Sequence, residues 1–324
     1  MLTIDPLEAG NQESFKYLLG GVAPRPIAFV STISEDGVSN LAPFSFFNAF
    51  GSNPPVLAFS ASRRGTNNTT KDTYENLIRT KECVIHTVNY SMLEQMNLAS
   101  SEFESGVDEF VKSGFTPINS ENVKPMRVQE SPVHFECELM QMVELGGLAG
   151  SGNLAVCKVV KIHVSEDILD ENQAIDPHKL DAIGRNGGAY YTRASGDALF
   201  QAQKPRGNGI GYDELPDYIK SSNVYTANNL GLFAMVKEIP SHQDAENLVA
   251  SIEIKEASEE TFYMHKRLGD YKNMFASALF LQSQKNPKSH YFFELTAQKA
   301  LEARDLDFAW KLAIHSNKNQ NNLG

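Results

Sequence analysis

Residues 133–145 read VHFECELMQMVEL, and this stretch decides the fold class. Val133, Phe135, Cys137, Leu139, Val143 and Leu145 fall at alternate positions, with Gln141 as the one break. His134, Glu136, Glu138 and Glu144 occupy the positions between them. A period of two is the mark of a strand buried on one face. The glycine-rich stretch Gly146-Gly147-Leu148-Ala149-Gly150-Ser151-Gly152 follows, and residues 154–164 resume a run rich in valine and isoleucine. The pattern predicts a long β-hairpin.

Working outward, residues 26–33 (PIAFVSTI) form an apolar, β-branched run, closed by the turn residues Ser34-Glu35-Asp36-Gly37. Residues 38–47 resume a mostly apolar run, so a second hairpin is expected. Residues 55–61 (PVLAFSA) and 82–88 (ECVIHTV) supply two more strands. Short helices are expected at 72–79 and 91–98. Many strands with few helices between them suggest a barrel or sandwich.

The character of the chain changes near residue 200. Gln203-Lys204-Pro205-Arg206-Gly207-Asn208-Gly209 reads as a linker, which divides the chain into residues 1–200 and 201–324. Beyond it the apolar period becomes helical. Leu232, Met235 and Val236 suit one helix, and Leu248 and Ile252 a second. Tyr271, Met274, Phe275, Ala278 and Leu279 suit a third. Phe293, Ala297, Ala300 and Leu301 suit a fourth, and Phe308, Ala309, Leu312 and Ala313 a fifth. The polar tail from Ser316 to Asn322 is expected to fray.

Composition narrows the function classes. The 324 residues carry a formal net charge of -11, which argues against sequence-independent nucleic-acid binding. Apolar runs such as residues 27–30 and 41–44 are far short of the ~18 residues a membrane-spanning helix needs. Cys83, Cys137 and Cys157 are widely spaced within strand-like stretches, so small buried hydrophobes are expected rather than a disulfide scaffold or zinc site. The beginning MLTIDPLEAG lacks a basic start leading into an apolar stretch, which predicts a cytoplasmic protein.

Several motifs are excluded by context. The glycines at 146–152 precede a strand, not a helix, so they do not form a dinucleotide fingerprint. The chain has no GxxxxGK[ST], no HExxH and no GxSxG. His134 and His163 lie on neighbouring strands without a third ligand in register, so no metal is expected. Chemistry concentrates instead in residues 25–73. Ser31-Thr32 ends a strand, residues 40–48 (NLAPFSFFN) combine hydroxyl, amides and aromatics, and Ser60-Ala61-Ser62-Arg63-Arg64-Gly65 adds cations. Lys71-Asp72-Thr73 stands at a helix start. Hydroxyls, cations and helix N–H groups suit a phosphate, and an aromatic-flanked slot suits a planar ring. The same residues also admit a plainer reading, with Asp72 as a helix cap and Arg63-Arg64 as a solvated turn.

Residues 23–32 (APRPIAFVST) and 40–48 resemble the flavin reductase-like family of FMN-binding split barrels. The resemblance continues through Lys71-Asp72-Thr73, Gly106-Val107-Asp108-Glu109-Phe110, Glu130-Ser131-Pro132-Val133 and residues 184–191 (GRNGGAYY). It covers about residues 10–195 and leaves the last third of the chain outside. It implies a Greek-key split β-barrel, here followed by a C-terminal α-helical extension, and a homodimer. It also implies FMN, in some relatives FAD, reduced by NADH or NADPH. A monooxygenase or another electron acceptor then takes the electrons, and a non-enzymatic flavin electron carrier is the alternative.

Carried over by position, the resemblance sets Ser31 and Thr32 at the phosphate or ribityl end. It sets Ser45, Phe46, Phe47 and Asn48 along the isoalloxazine, with Ser60, Ala61 and Arg63 bordering the phosphate. Lys71, Asp72 and Thr73 complete the phosphate cradle, and Arg185 reaches the site from a late loop. Flavin and nicotinamide carry the redox step, so no catalytic acid or nucleophile is assigned. Two departures stand out. His86 occupies a place where relatives often have asparagine, and His134 one where they often have a small apolar residue.

Overall fold

The computed structural model describes residues 1–202 and 207–321. Residues 203–206 of the expected linker lie outside the described residues. The chain divides into two compact units, Met1–Gln201 and Ala202–Gly324.

The first unit contains strands β1 (Ala28–Ile33), β2 (Ser39–Phe44), β3 (Phe47–Ser52), β4 (Pro55–Ser60) and β5 (Glu82–His86). The short pair β6 (Pro117–Ile118) and β7 (Arg127–Val128) comes next, then the long hairpin β8 (Val133–Glu144) and β9 (Asn153–Val164). A small late hairpin, β10 (Ile183–Arg185) and β11 (Tyr191–Arg193), completes the strands. The helices of this unit are α1 (Pro6–Gly21), α2 (Asp72–Thr80), α3 (Leu93–Ala99), α4 (Glu109–Ser113) and α5 (Pro177–Leu180).

One seven-stranded antiparallel sheet runs in the order β2-β1-β5-β8-β9-β4-β3. Its two edge strands, β2 and β3, are separated in sequence only by Ser45 and Phe46. The opposite ends of the sheet must therefore meet, and the sheet curls into a barrel left open between those strands. This is the split β-barrel expected from the sequence. Side chains from all around the sheet fill its interior, among them Val30, Phe44, Phe59, Ile85, Cys137 and Cys157, with Leu77 of α2 packed in. A second cluster covers the outer face of β1 and β2. It joins Phe29 and Leu41 to Met92, Met96, Phe110 and Val128.

The β8–β9 hairpin departs from strict alternation. The register shifts between Glu136 and Cys137 and again between Leu139 and Gln141, where Met140 has no partner. A bulge moves every later side chain to the other face. Met142, not Val143, consequently packs against the barrel core. The face expected to be polar and solvated is also buried at His134 and Glu136, because residues 116–131 lie over it.

The second unit is helical. It comprises α6 (Asp217–Lys220), α7 (Ala227–Phe233), α8 (His242–Ser251), α9 (Glu259–Leu268), α10 (Tyr271–Ser283), α11 (Ser289–Glu302) and α12 (Leu306–Asn321). Trp310, Phe233, Phe262, Phe275 and Phe292 form its fully buried centre. Met235 and Val236 lie beyond the end of α7, and α12 continues through the tail expected to fray as far as Asn321. No helix among the described residues is long and apolar enough to cross a membrane.

Candidate functional site

The site begins with a buried polar quartet. The Asn40 amide on β2 donates to Thr32 Oγ1 on β1 at 3.2 Å and to Thr73 Oγ1 on α2 at 2.9 Å. The Asn76 amide, one helical turn further along α2, donates to Thr32 Oγ1 at 3.0 Å. All four residues are buried. Buried polar groups are retained when mutually satisfied, and here they fasten the first turn of α2 to the β1–β2 hairpin.

That first turn carries the charge. Lys71 precedes α2 in an extended conformation, and no side chain caps the helix. The leading N–H groups and the positive end of the helix dipole are left for another acceptor. The Lys71 ammonium lies 5.2 Å from the Phe44 ring centroid. Burial, followed by the nearby Arg64 guanidinium, pushes its pKa below the usual lysine range, against the pull of Glu102. Among the described residues, Lys71 has no hydrogen-bond or ion-pair partner. Arg64 is oriented by Thr70 O and by Thr69 Oγ1 at 3.2 Å, and its guanidinium is 3.9 Å from Asp72 Oδ2.

These groups line a cleft of about 110 Å³, with Arg64, Lys71, Asp72 and Thr73 on one side and Ser100, Ser101, Glu102 and Glu109 on another. Burial raises the Glu109 carboxyl above its usual pKa, although it accepts from Leu41 N at 2.9 Å. A second cleft of about 250 Å³ shares Pro43 and Ser100 with the first. Its walls are apolar at Ile27, Phe44 and Met96, and polar at Ser45, Asn97 and Arg185. The Tyr191 hydroxyl donates to Asn97 Oδ1 at 2.7 Å, and the Arg185 guanidinium stacks 4.5 Å from the Tyr191 ring. A cationic end joined to an apolar slot with a few polar groups can hold an anion attached to a flat ring.

Five of the residues singled out in the sequence stand on these walls: Ser45, Lys71, Asp72, Thr73 and Arg185. The others stand elsewhere. Ser31 is fully buried and donates to Met126 O at 2.6 Å, while Thr32 lies in the quartet behind Thr73. Ser60 Oγ faces Ser62 Oγ at 3.3 Å, and Ala61 is fully buried. Arg63 turns to Asn68, with Nε donating to Oδ1 at 2.8 Å and Nη2 to the carbonyl at 2.5 Å. Phe46 meets Phe15 edge-on, Phe47 packs on the barrel core, and Asn48 Oδ1 accepts from Ala49 N. Arg64 and Asn40, which fell in the chemistry-bearing stretches but were given no role, complete the clefts with Asn97 and Ser100. The Arg63-Arg64 pair was visible in the sequence; only the loop's path decides which member faces the cleft.

The histidines and cysteines make a structural interior. His86, His134 and His163 stand in register on β5, β8 and β9. His86 Nδ1 donates to Phe29 O at 2.7 Å, and its Nε2 accepts from Val128 N at 3.0 Å. Burial, reinforced by His134, lowers its pKa to about 3, which keeps it neutral. His134 bonds Ser131 O through Nε2 at 2.8 Å, and His163 bonds Glu136 Oε1 at 2.7 Å. The three free thiols are buried, as expected for small hydrophobes. Among the described residues, no group of three or more His, Cys, Asp or Glu is placed to hold a metal.

Comparison with known proteins matches residues 20–192 to the flavin reductase like domain. An uncharacterised protein of Aquifex aeolicus (strain VF5) is 43% identical over 190 residues, which span 59% of this chain and 94% of that one. The crystal structure of nitrilotriacetate monooxygenase component B from Bacillus cereus superposes with a TM-score of 0.58 at 31% identity. The match covers 63% of this chain and 98% of that one. A split-barrel protein from Shewanella frigidimarina NCIMB 400 shares the fold, with a TM-score of 0.52 at 21% identity over 61% of this chain and 96% of that one. A barrel open between β2 and β3, and a domain match spanning more than half of the sequence, place the chain in the flavin reductase-like family.

Proposed function

We propose that residues 1–200 bind FMN and act as an NAD(P)H:flavin oxidoreductase, with residues 201–324 as a helical extension. The observation that carries this reading is Lys71, a desolvated ammonium with no hydrogen-bond or ion-pair partner among the described residues, beside the uncapped start of α2. An unpaired buried cation is costly unless an anion joins it. The FMN phosphate supplies that anion. Lys71 and Arg64 neutralise it, while the Thr73 hydroxyl and the first N–H groups of α2 donate to it.

The flavin ring takes the apolar slot between Pro43, Phe44 and Met96, with Ser45, Asn97 and Arg185 available to its polar edge. When bound, the flavin supplies the ring that accepts hydride from a reduced nicotinamide. The chain positions that ring, brings positive charge to it through Arg185, and limits water with Met96 and Phe44. Likeness to a monooxygenase component supports a monooxygenase or another acceptor as the recipient of the electrons. A homodimer is part of the proposal: β3 is an edge strand with Phe50 68% exposed, and an open edge of this kind invites pairing.

The test is an absorbance spectrum of the protein after FMN addition and desalting, followed by NADH or NADPH. A retained flavin band that bleaches within the turnover time is the expected result. A retained band that neither donor bleaches identifies an electron carrier instead. Loss of the band on desalting, with no turnover in excess FMN, refutes the proposal.

A further inference from the structure

The strongest unexplained group in the first unit is Arg25. It lies just before β1, between Pro24 and Pro26, and is only 4% exposed. Its guanidinium has no carboxylate partner among the described residues and is spent on carbonyls and a hydroxyl. Nη1 donates to Leu19 O at 2.6 Å and to Val22 O at 2.5 Å, at the C-terminal end of α1. Nη2 donates to Asn186 O at 3.2 Å, and Nε reaches Ser45 Oγ at 3.4 Å. The backbone adds two bonds, Arg25 N to Arg185 O at 2.9 Å and Arg185 N to Arg25 O at 2.8 Å.

Three segments thus converge on one planar fork. Two of them, Ser45 and the Arg185 loop, form walls of the larger cleft. The third, α1, buries none of its own side chains. Its remaining observed ties are the edge contact of Phe15 with Phe46 and the close passage of Gly187 by Gly20, where a Cβ on Gly187 would come within 3.2 Å of the Gly20 Cα. A cation at a helix C-terminus is favourable, and a guanidinium can satisfy several carbonyls at fixed angles where an ammonium cannot.

We propose that Arg25 is the positioning residue of the ring end of the cleft: it holds Ser45 and the Arg185 loop in place and couples both to α1. Such a coupling is reciprocal, so a ligand that orders the ring end also orders α1. The ligand half of this inference rests on the flavin reading; the clamp itself does not.

Two measurements on the full chain test it, using Arg25→Met and, to guard against misfolding, Arg25→Lys. The first is amide hydrogen exchange without flavin. The clamp predicts at least tenfold faster exchange at the end of α1 and in residues 184–193 of both variants, with β8 and β9 unchanged. Unaltered exchange in α1 and that loop overturns the proposal. The second is titration with FMN and with riboflavin, which lacks the phosphate. Both affinities are expected to fall by the same factor, about tenfold, and FMN slows exchange in α1 of the wild type but not of Arg25→Met. Undiminished affinities, or a loss confined to FMN, overturn the ring-end role. If the wild type binds neither flavin, the flavin reading fails, and the exchange experiment alone decides the clamp.

Discussion

Two ends of one groove treat positive charge in opposite ways. At one end the Lys71 ammonium is desolvated and, among the described residues, without a hydrogen-bond or ion-pair partner, beside a helix start that no side chain caps. At the other the Arg25 side chain is also withdrawn from solvent, yet its guanidinium donates to Leu19 O, Val22 O, Asn186 O and Ser45 Oγ. Burial alone therefore does not separate a binding cation from an architectural one. The state of its partners does. An unsatisfied charge carries a cost that an arriving anion removes, whereas a satisfied charge has nothing further to gain from a ligand.

The contrast can be broken most forcefully at Lys71. Lys71→Ala removes a charge-assisted contact, and FMN affinity is expected to fall by ~1–3 kcal/mol, measured by fluorescence titration. Riboflavin affinity is expected to stay put. The quartet behind the cradle is next. Asn40→Leu leaves the Thr73 hydroxyl without its donor and Thr32 with Asn76 alone, and thermal unfolding is expected to show a loss of about 1–3 kcal/mol. A smaller effect separates two neighbours. Arg64→Ala should weaken FMN binding several-fold, and Arg63→Ala should not, because Arg64 lines the cleft whereas Arg63 turns to Asn68.

The smallest effect concerns pH, and its sign is opposite for the free and bound protein. Burial first, then Arg64, holds the Lys71 pKa below its ordinary 10.5. Between the depressed value and 10.5 the unfolded chain binds more protons than the fold at this group. The contribution of Lys71 to flavin-free stability therefore rises with pH through that window. FMN affinity falls through the alkaline range as the ammonium is lost. Lys71→Met should flatten both trends and raise flavin-free stability by up to about 1 kcal/mol. Parallel denaturation and binding profiles in the alkaline range check this.

Much of the barrel was legible because its strands alternate or run apolar between clear turn signals. Ser34-Glu35-Asp36-Gly37 closes a turn with Gly37 at φ +85, and residues 72–79 begin where α2 begins. The bulges in the β8–β9 hairpin were not legible, since nothing at Val160 or Met140 marks an extra residue in the pairing. Nor was α1, which buries no side chain and so has no apolar period to read. The helix α9 was missed for a related reason: Phe262 is its one buried residue. At the site, composition pointed to Lys71 and Thr73, but not to the choice of Arg64 over Arg63 or to the role of Ser31. Those depend on which way a loop or a strand faces: Ser31 meets Met126 from a distant part of the chain, and Arg63 folds back on Asn68 within its own loop.

The most direct test of the phosphate cradle is the ratio of FMN to riboflavin affinity in the unmodified protein. The two ligands share the ring and the ribityl chain and differ only in the phosphate. If Lys71, Arg64 and the start of α2 await that group, FMN binds at least tenfold more tightly, and added inorganic phosphate narrows the gap. Equal affinities would contradict the account, because the unpartnered cation would then have no part in holding the flavin.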